Sequence, residues 1–258
     1  AFWKKFGVFI CEGIVTEPEA KDSLVPLLRY RSLNHGEEYL SLADYVLEMK
    51  PGQDKIYYIL GENLDTLRNS PHIETLKKKG MDVLLLADPF DPFVITNLEK
   101  FQDFSLVNAA TEKFSEDADK KDAEAKQEPA LDESASQGLI QRFKDTLGEK
   151  VSDVKTTDRL VESPARLADA EGAISPEMQK MYHLMQQDFS APKKVLEINP
   201  AHPLITRLAE VTDSDLASQI INQVYDGAKI MDGETPDQFA MLTRIQNLII
   251  SLLDQQKT

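Results

Sequence analysis

Hydrophobic and polar positions change their period several times along this 258-residue chain, and each change marks an element. KIYYIL (55–60), MDVLLLA (81–87) and FSLVNA (104–109) are short apolar runs rich in β-branched and aromatic residues, which predicts buried strands. Between the first two, Ser70 is placed to cap a helix and Pro71 fits its first position, where a missing N–H costs nothing. Ile73 and Leu76 give that helix an apolar face, Lys77 to Lys79 suit its negative end, and Gly80 suits a left-handed stop. Pro92 to Phe101 reads as another helix before FSLVNA. Alternating strands and helices predict a parallel α/β sheet. Upstream, AFWKKFG, LVPLLRYRS (24–32) and SLADYVLEM (41–49) look helical, with a polar turn at 34–37, whereas VFIC (8–11) looks like a strand.

From Thr111 to Gln137 the pattern stops. EKFSEDADKKDAEAKQEPALDESAS has almost no large apolar residue and cannot bury enough surface to offset its ordering entropy. It reads as a solvated linker or exposed helix, with an acidic interaction segment as the alternative. Beyond it, Leu139 to Leu147 is a short amphipathic helix, and VSDVKTT, SPARLAD and KVLEINP read as strands. Helical patterns follow at 203–210, 213–231 and 235–256. The expectation is α/β then α+β: a parallel α/β sandwich over 1–111, an acidic linker or exposed helix start over 112–137, and a mixed α+β domain over 138–258.

Two helical stripes in the second half raise the question of what covers them. Leu242, Ile245, Ile249 and Leu252 are spaced three, four, three, as in a heptad seam, and Leu248 and Leu253 widen it. The preceding helix carries Leu216, Ile220 and Val224 beside Ile221, Ala228 and Met231. Pairing with a second copy would give an intermolecular four-helix bundle; ordinary packing within one chain is the alternative. In ISPEMQKMYHLM, Ile174, Met178, Met181, Tyr182 and Met185 fall on one helical face. Periodicity alone favours core for that face over an exposed binding surface.

Composition adds exclusions. Hydrophobic residues are 41% and charged residues 28%, as in a soluble globular chain, and no apolar run approaches a membrane span. A net charge of −15 disfavours a nucleic-acid face. One cysteine, Cys11, excludes an internal disulfide and reads as buried and inert, and four scattered histidines show no metal-ligand spacing. His183 and His202 read as surface or capping residues. Phosphate loops and nucleophile elbows are absent. Asp88 and Asp91 in ADPFDPF could be paired carboxylates, but Asp-Pro at a strand end is common turn chemistry. No catalytic residue and no metal site is assigned. The chain opens without an initiator Met, which suggests a processed or truncated protein.

FWKKFG, EGI, LLRYRS, SLADYVLEMKPGQDKIYYI, SPHIETLKKKGMDVLLLADPFD, RLVESPA and LEINPAHPLI resemble, in that order, the carboxy-terminal half of the 90-kDa heat-shock chaperones of the bacterial HtpG type. The resemblance covers nearly everything except the acidic segment. It implies the distal part of the middle domain followed by a dimerisation domain. It places the nucleotide pocket, and with it ATP and Mg, in the parent protein outside this chain, for which no cofactor is expected. The ending LLDQQKT resembles the bacterial or organellar branch, with no docking peptide for tetratricopeptide-repeat co-chaperones. Bacterial cytoplasm is the implied location, with an organelle as the alternative.

By position, the resemblance implies that Ile174, Met178, Met181 and Tyr182 contact unfolded clients, facing Phe93 and Thr96 of the middle domain; Met185 joins them on the same face. Pro92 departs from the family, where an acidic residue is common. Methionine is flexible and polarizable and suits a promiscuous surface. With the family placement, exposure overtakes core as the reading of this face. The implied partners are a second copy and unfolded or partly folded proteins, with neither nucleic acid nor membrane. Two rivals remain: a small-molecule enzyme using the sheet crevice, and a passive dimeric scaffold with the methionine face buried.

Overall fold

The computed structural model describes residues 2–112, 131–185 and 192–255. In chain order the elements are α1 (Phe2–Thr16), α2 (Lys21–Leu24), β1 (Arg31–Ser32), α3 (Leu42–Leu47), β2 (Lys55–Leu60), α4 (Leu64–Arg68), α5 (Glu74–Lys78), β3 (Leu84–Leu86), α6 (Asp91–Leu98), β4 (Lys100–Phe101) and β5 (Phe104–Asn108). There follow α7 (Glu133–Leu147), β6 (Asp153–Thr156), β7 (Ala165–Ala168), α8 (Pro176–Leu184), β8 (Val195–Ile198), α9 (Pro203–Glu210), α10 (Ser214–Met231) and α11 (Gln238–Gln255). They form two compact units: 2–112 with 172–185, and 131–171 with 192–255. The segment carrying α8 thus lies between β7 and β8 in sequence but belongs to the first unit. Most of the acidic stretch, 113–130, falls outside the described residues.

The first unit is built on a five-stranded sheet in the order β1-β3-β2-β5-β4. β2 runs parallel to β3 and β5, while the edge strands β1 and β4 are antiparallel to their neighbours. The sheet is therefore mixed, where alternation alone predicts a purely parallel one. Four successive residues of β2, Ile56 to Ile59, are buried, as a strand covered on both faces requires. Ile56 and Tyr58 join Leu84, Leu86 and Leu106 in a core closed by Ile10 and Ile14 of α1 and Val94 and Ile95 of α6. On the opposite alternation Tyr57, Ile59 and Leu85 are also buried, as are Leu67 of α4 and Leu76 of α5.

Three local expectations are corrected. VFIC lies inside the continuous helix α1, because Gly7, Ile10, Cys11 and Ile14 recur at helical spacing and are the residues it buries. LVPLLRYRS is not a helix. A 3-10 turn spans Val25–Leu27 around Pro26, Leu28 is extended (φ −57°, ψ 140°), and Arg31 and Ser32 pair with Leu85 and Leu84. α6 ends at Leu98 rather than Phe101, because Glu99 takes a positive φ of 47° and turns Lys100 and Phe101 into a hairpin with β5. Elsewhere the local signals carry through. Ser70 accepts a hydrogen bond from the His72 N–H, and Gly80 sits at φ +66°. Ser41 and Asp44 form a reciprocal capping box on α3.

The second unit has a three-stranded sheet, β6-β8-β7, with β8 parallel to β6 and antiparallel to β7. Val154, Leu167, Leu196 and Ile198 pack with Leu139 and Phe143 of α7, Ile205 and Leu208 of α9, and Ala217, Ile221 and Ala228 of α10. The other face carries an ion set across all three strands, with Arg166 and Glu197 buried and Lys155 exposed. Arg166 is 2% exposed and donates to Glu197 Oε2 through Nε at 2.6 Å, with Nη2 also 2.6 Å away. Lys155 Nζ lies 3.2 Å from Glu197 Oε1. Burial pushes the Glu197 carboxyl up, but Arg166 and Lys155 outweigh it and hold it below the ordinary carboxylate range. α11 packs on α10, where Arg244 bonds Asp226 at 2.6 Å.

Asp91 opens α6 and is buried; its Oδ2 accepts the Asp88 backbone N–H at 2.8 Å. Burial pushes its carboxyl from 3.8 up to about 7; that hydrogen bond and Lys180 oppose the rise, and the charge of Asp88 adds to it. In the folded state Asp91 therefore holds a proton that the unfolded chain has released. Its contribution to stability is complete below about pH 4 and is lost as the pH rises through about 7. Urea midpoints taken across this window should fall with pH, and Asp91→Asn, which keeps the acceptor oxygen, should flatten that dependence. In the second unit, Phe143→Ala should lower stability by about 3–5 kcal/mol in the same measurement, since Phe143 is fully buried.

Candidate functional site

The carboxyl ends of the parallel strands are the place to look for a site in an open α/β sheet. β2 leads to β3 on one side, and the chain then crosses back to place β5 on the other, so the strand order reverses beside β2. Tyr58 and Asn108 are register partners at that point, and both are buried. The Asn108 Oδ1 accepts the Ala110 N–H at 2.9 Å, which turns the amide nitrogen outward. Tyr58 Oη and Asn108 Nδ2 then both donate to one oxygen, Oε1 of Glu177 on α8, at 2.8 and 2.7 Å. Burial, then the charge of Glu177, pushes the Tyr58 hydroxyl far above its ordinary value, so it remains a donor.

α8 forms locally because Ser175 Oγ accepts the Met178 N–H and Pro176 occupies the first helical position. It packs against α6. The hydroxyl of Thr96 donates to the Pro92 carbonyl at 2.8 Å and points toward Met181 Sδ at 3.9 Å, so the structure brings Thr96 and Met181 together. Phe93, one turn earlier on α6, is half-buried, as are Met181 and Tyr182. Ile174 and Met178 are exposed at 38% and 41%, and Met185 at 58%. The stripe is thus neither fully core nor fully free. Beside it, a cavity of about 250 Å³ lies among Gly61, Ala87, Asp88, Pro92, Lys180 and Leu184.

Residue-type reasoning passed over Glu177, Tyr58 and Asn108. The available signal was a carboxylate set three residues after Ile174 and four before Met181, at the border of an otherwise apolar stripe. Nothing in the sequence paired it with two positions more than sixty residues upstream.

Several other polar groups of the first unit serve structural roles. Asp88 Oδ1 accepts the Phe90 N–H, and Asp91 closes the same turn. Burial, then Asp91, then Asp88, push the Cys11 thiol up to about 12, far from a nucleophilic thiolate. Ser32, His35 and Glu48 form a chain of polar contacts, with Ser32 Oγ 2.9 Å from Nδ1 and Glu48 Oε2 3.0 Å from Nε2 of His35. Ser32 is fully buried, and Nδ1 also faces Asp82, so its hydroxyl meets no substrate. His202 caps α9 through Nδ1, while the His183 side chain lies outside the described residues. Among the described residues, no group of three His, Cys, Asp or Glu could hold a metal, and no helix is long and apolar enough to cross a membrane.

In the second unit, Leu242, Ile249 and Leu252 of α11 are 59%, 51% and 63% exposed, with Ile250 and Leu253 beside them. Ile245 is half-buried, as are Leu216 and Ile220 of α10, whereas Val224 belongs to the unit's own core. α11 therefore keeps one side on α10 and presents an apolar side to water.

The model of the Hsp90 protein family matches residues 1–258. The chain is 38% identical over 256 residues to the chaperone protein HtpG of Chromobacterium violaceum, covering 97% of this chain and 40% of that protein. It is 35% identical to the Shewanella pealeana HtpG with the same coverage, and 38% identical to that of Aromatoleum aromaticum, covering 97% of this chain and 39% of that protein. It spans about 40% of the length of these curated relatives. On this match, over its full length, the chain belongs to the Hsp90 family.

Proposed function

We propose that the chain is the client-holding and dimerising part of an ATP-dependent chaperone that assists protein folding, corresponding to the distal middle domain and the carboxy-terminal dimerisation domain. The observation that carries this reading is the methionine stripe of α8, which lies partly open to water opposite α6. A surface built from Ile174, Met178, Met181, Tyr182 and Met185, with Phe93 and Thr96 across from it, can mould to many apolar segments. Its polar demands are few, so sequence matters little and binding stays reversible. That is the behaviour a folding machine needs from its holding face.

The second support is α11. A contiguous apolar side on a terminal helix calls for a cover. A second copy presenting the same side, with Leu216 and Ile220 of α10 at its border, makes a four-helix bundle of α10 and α11 from each protomer. The hydrolytic work, with its ATP and Mg, belongs to the parent protein outside this chain. The acidic balance suits protein partners in the bacterial cytoplasm rather than nucleic acid or a membrane.

Two experiments test the two faces. Met178→Lys with Met181→Lys should weaken binding of a permanently unfolded protein about tenfold or more while the chain stays folded and dimeric, measured by fluorescence anisotropy; unchanged affinity would favour a passive scaffold. Leu242→Asp with Ile249→Asp should convert a dimer into a folded monomer by light scattering after size exclusion. A wild-type monomer at every concentration would remove the bundle.

A further inference from the structure

The crevice where a doubly wound sheet receives its ligand is here filled by the chain's own carboxylate. Tyr58 of β2 and Asn108 at the end of β5 stand side by side as the last register pair of the two strands, and Glu177 reaches them from α8 with two short hydrogen bonds onto one oxygen. Both donors are buried and neutral, and the Asn108 amide is fixed in orientation by Ala110. Without Glu177, a buried hydroxyl and a buried amide would lose this acceptor, a demand that the core around Tyr58 does not otherwise meet. From α6, the Thr96 hydroxyl also points toward Met181 of α8, at a long distance and with a weak sulfur acceptor. The same docking leaves Met181 and Tyr182 half-buried while Met178 and Met185 are exposed.

We propose that Glu177 is an intramolecular latch. Its carboxylate, seated on Tyr58 and Asn108, holds α8 on the first unit and keeps part of the methionine stripe covered; release of the latch exposes the rest of the stripe. The device places a buried polar anchor at the edge of an apolar face. The anchor sets the equilibrium between covered and open stripe without altering the residues that touch a client. An open α8 presents Met181 and Tyr182 together with Met178 and Met185, and binds with more of its face.

The gating role rests on the client-holding reading of α8, while the latch itself does not, and the test keeps the two apart. In the full chain, Glu177→Ala removes both hydrogen bonds of the latch, and Tyr58→Phe weakens it from the opposite side by deleting only one hydroxyl. Without client, amide hydrogen exchange over 176–184 should rise at least tenfold in both variants, with β2 and β5 unchanged. The double variant should exchange no faster than Glu177→Ala alone, because that substitution already removes both hydrogen bonds, whereas Tyr58→Phe leaves the one from Asn108. Affinity for a carboxymethylated, permanently unfolded protein should increase several-fold. Unchanged exchange over 176–184 in both variants would overturn the latch. Faster exchange with unchanged affinity would sink the client-holding reading of α8 and the gating role with it. Faster exchange with weaker affinity would overturn the gating role by making the docked helix the competent state.

Discussion

The first unit depends on β2 being paired along both edges and covered on both faces. β2 pairs with β5 over Lys55 to Tyr58 and with β3 over Tyr58 to Leu60, so its length and register dictate where the other elements can lie. Tyr58 follows from this constraint. Its ring belongs to the core with Leu84, Leu86 and Leu106, which leaves a buried hydroxyl needing an acceptor. The acceptor comes from a helix more than a hundred residues away in sequence. One buried tyrosine thereby joins the interior of the sheet to the helix that carries the methionine stripe.

The elements with strong periodicity were legible. β2 appears over the same six residues that the apolar run marks, and α9 and α10 keep their expected ends nearly to the residue. These segments are long or flanked by distinct caps, so local and tertiary preferences agree. Pairing direction was less legible: β1 and β4 are two-residue edge strands whose antiparallel partners are set by the turn after Leu28 and by the positive φ at Glu99. VFIC misled because β-branched and aromatic residues satisfy a strand pattern over four positions, while the fifteen-residue helix around them has the deciding period.

The candidate site divides in the same way. The methionine face could be read from spacing, and family resemblance shifted its reading from core toward exposure. The structure finds a helix in both conditions at once, with Met181 toward α6 and Met185 toward water. A periodic stripe reports that a face is apolar; it carries no information about how far that face is covered. Glu177, Tyr58 and Asn108 were illegible for a stronger reason. Each is ordinary in its own segment, and their meaning exists only where the strand order reverses.

The ion set of the second unit has a consequence for assembly. Lys155, Glu197 and Arg166 occupy three strands, and Glu197 faces Arg166 and Lys155 directly across the two ladders. Sliding β7 by one residue would turn Arg166 toward the face of Leu167, Leu196 and Ile198 and take from the buried Glu197 its buried counterion, and sliding β6 would remove Lys155. Hydrophobic side chains of similar size tolerate such a slip with little loss, but this carboxylate does not. The three charges therefore act as a registration check, penalising misaligned sheets more than they reward the aligned one.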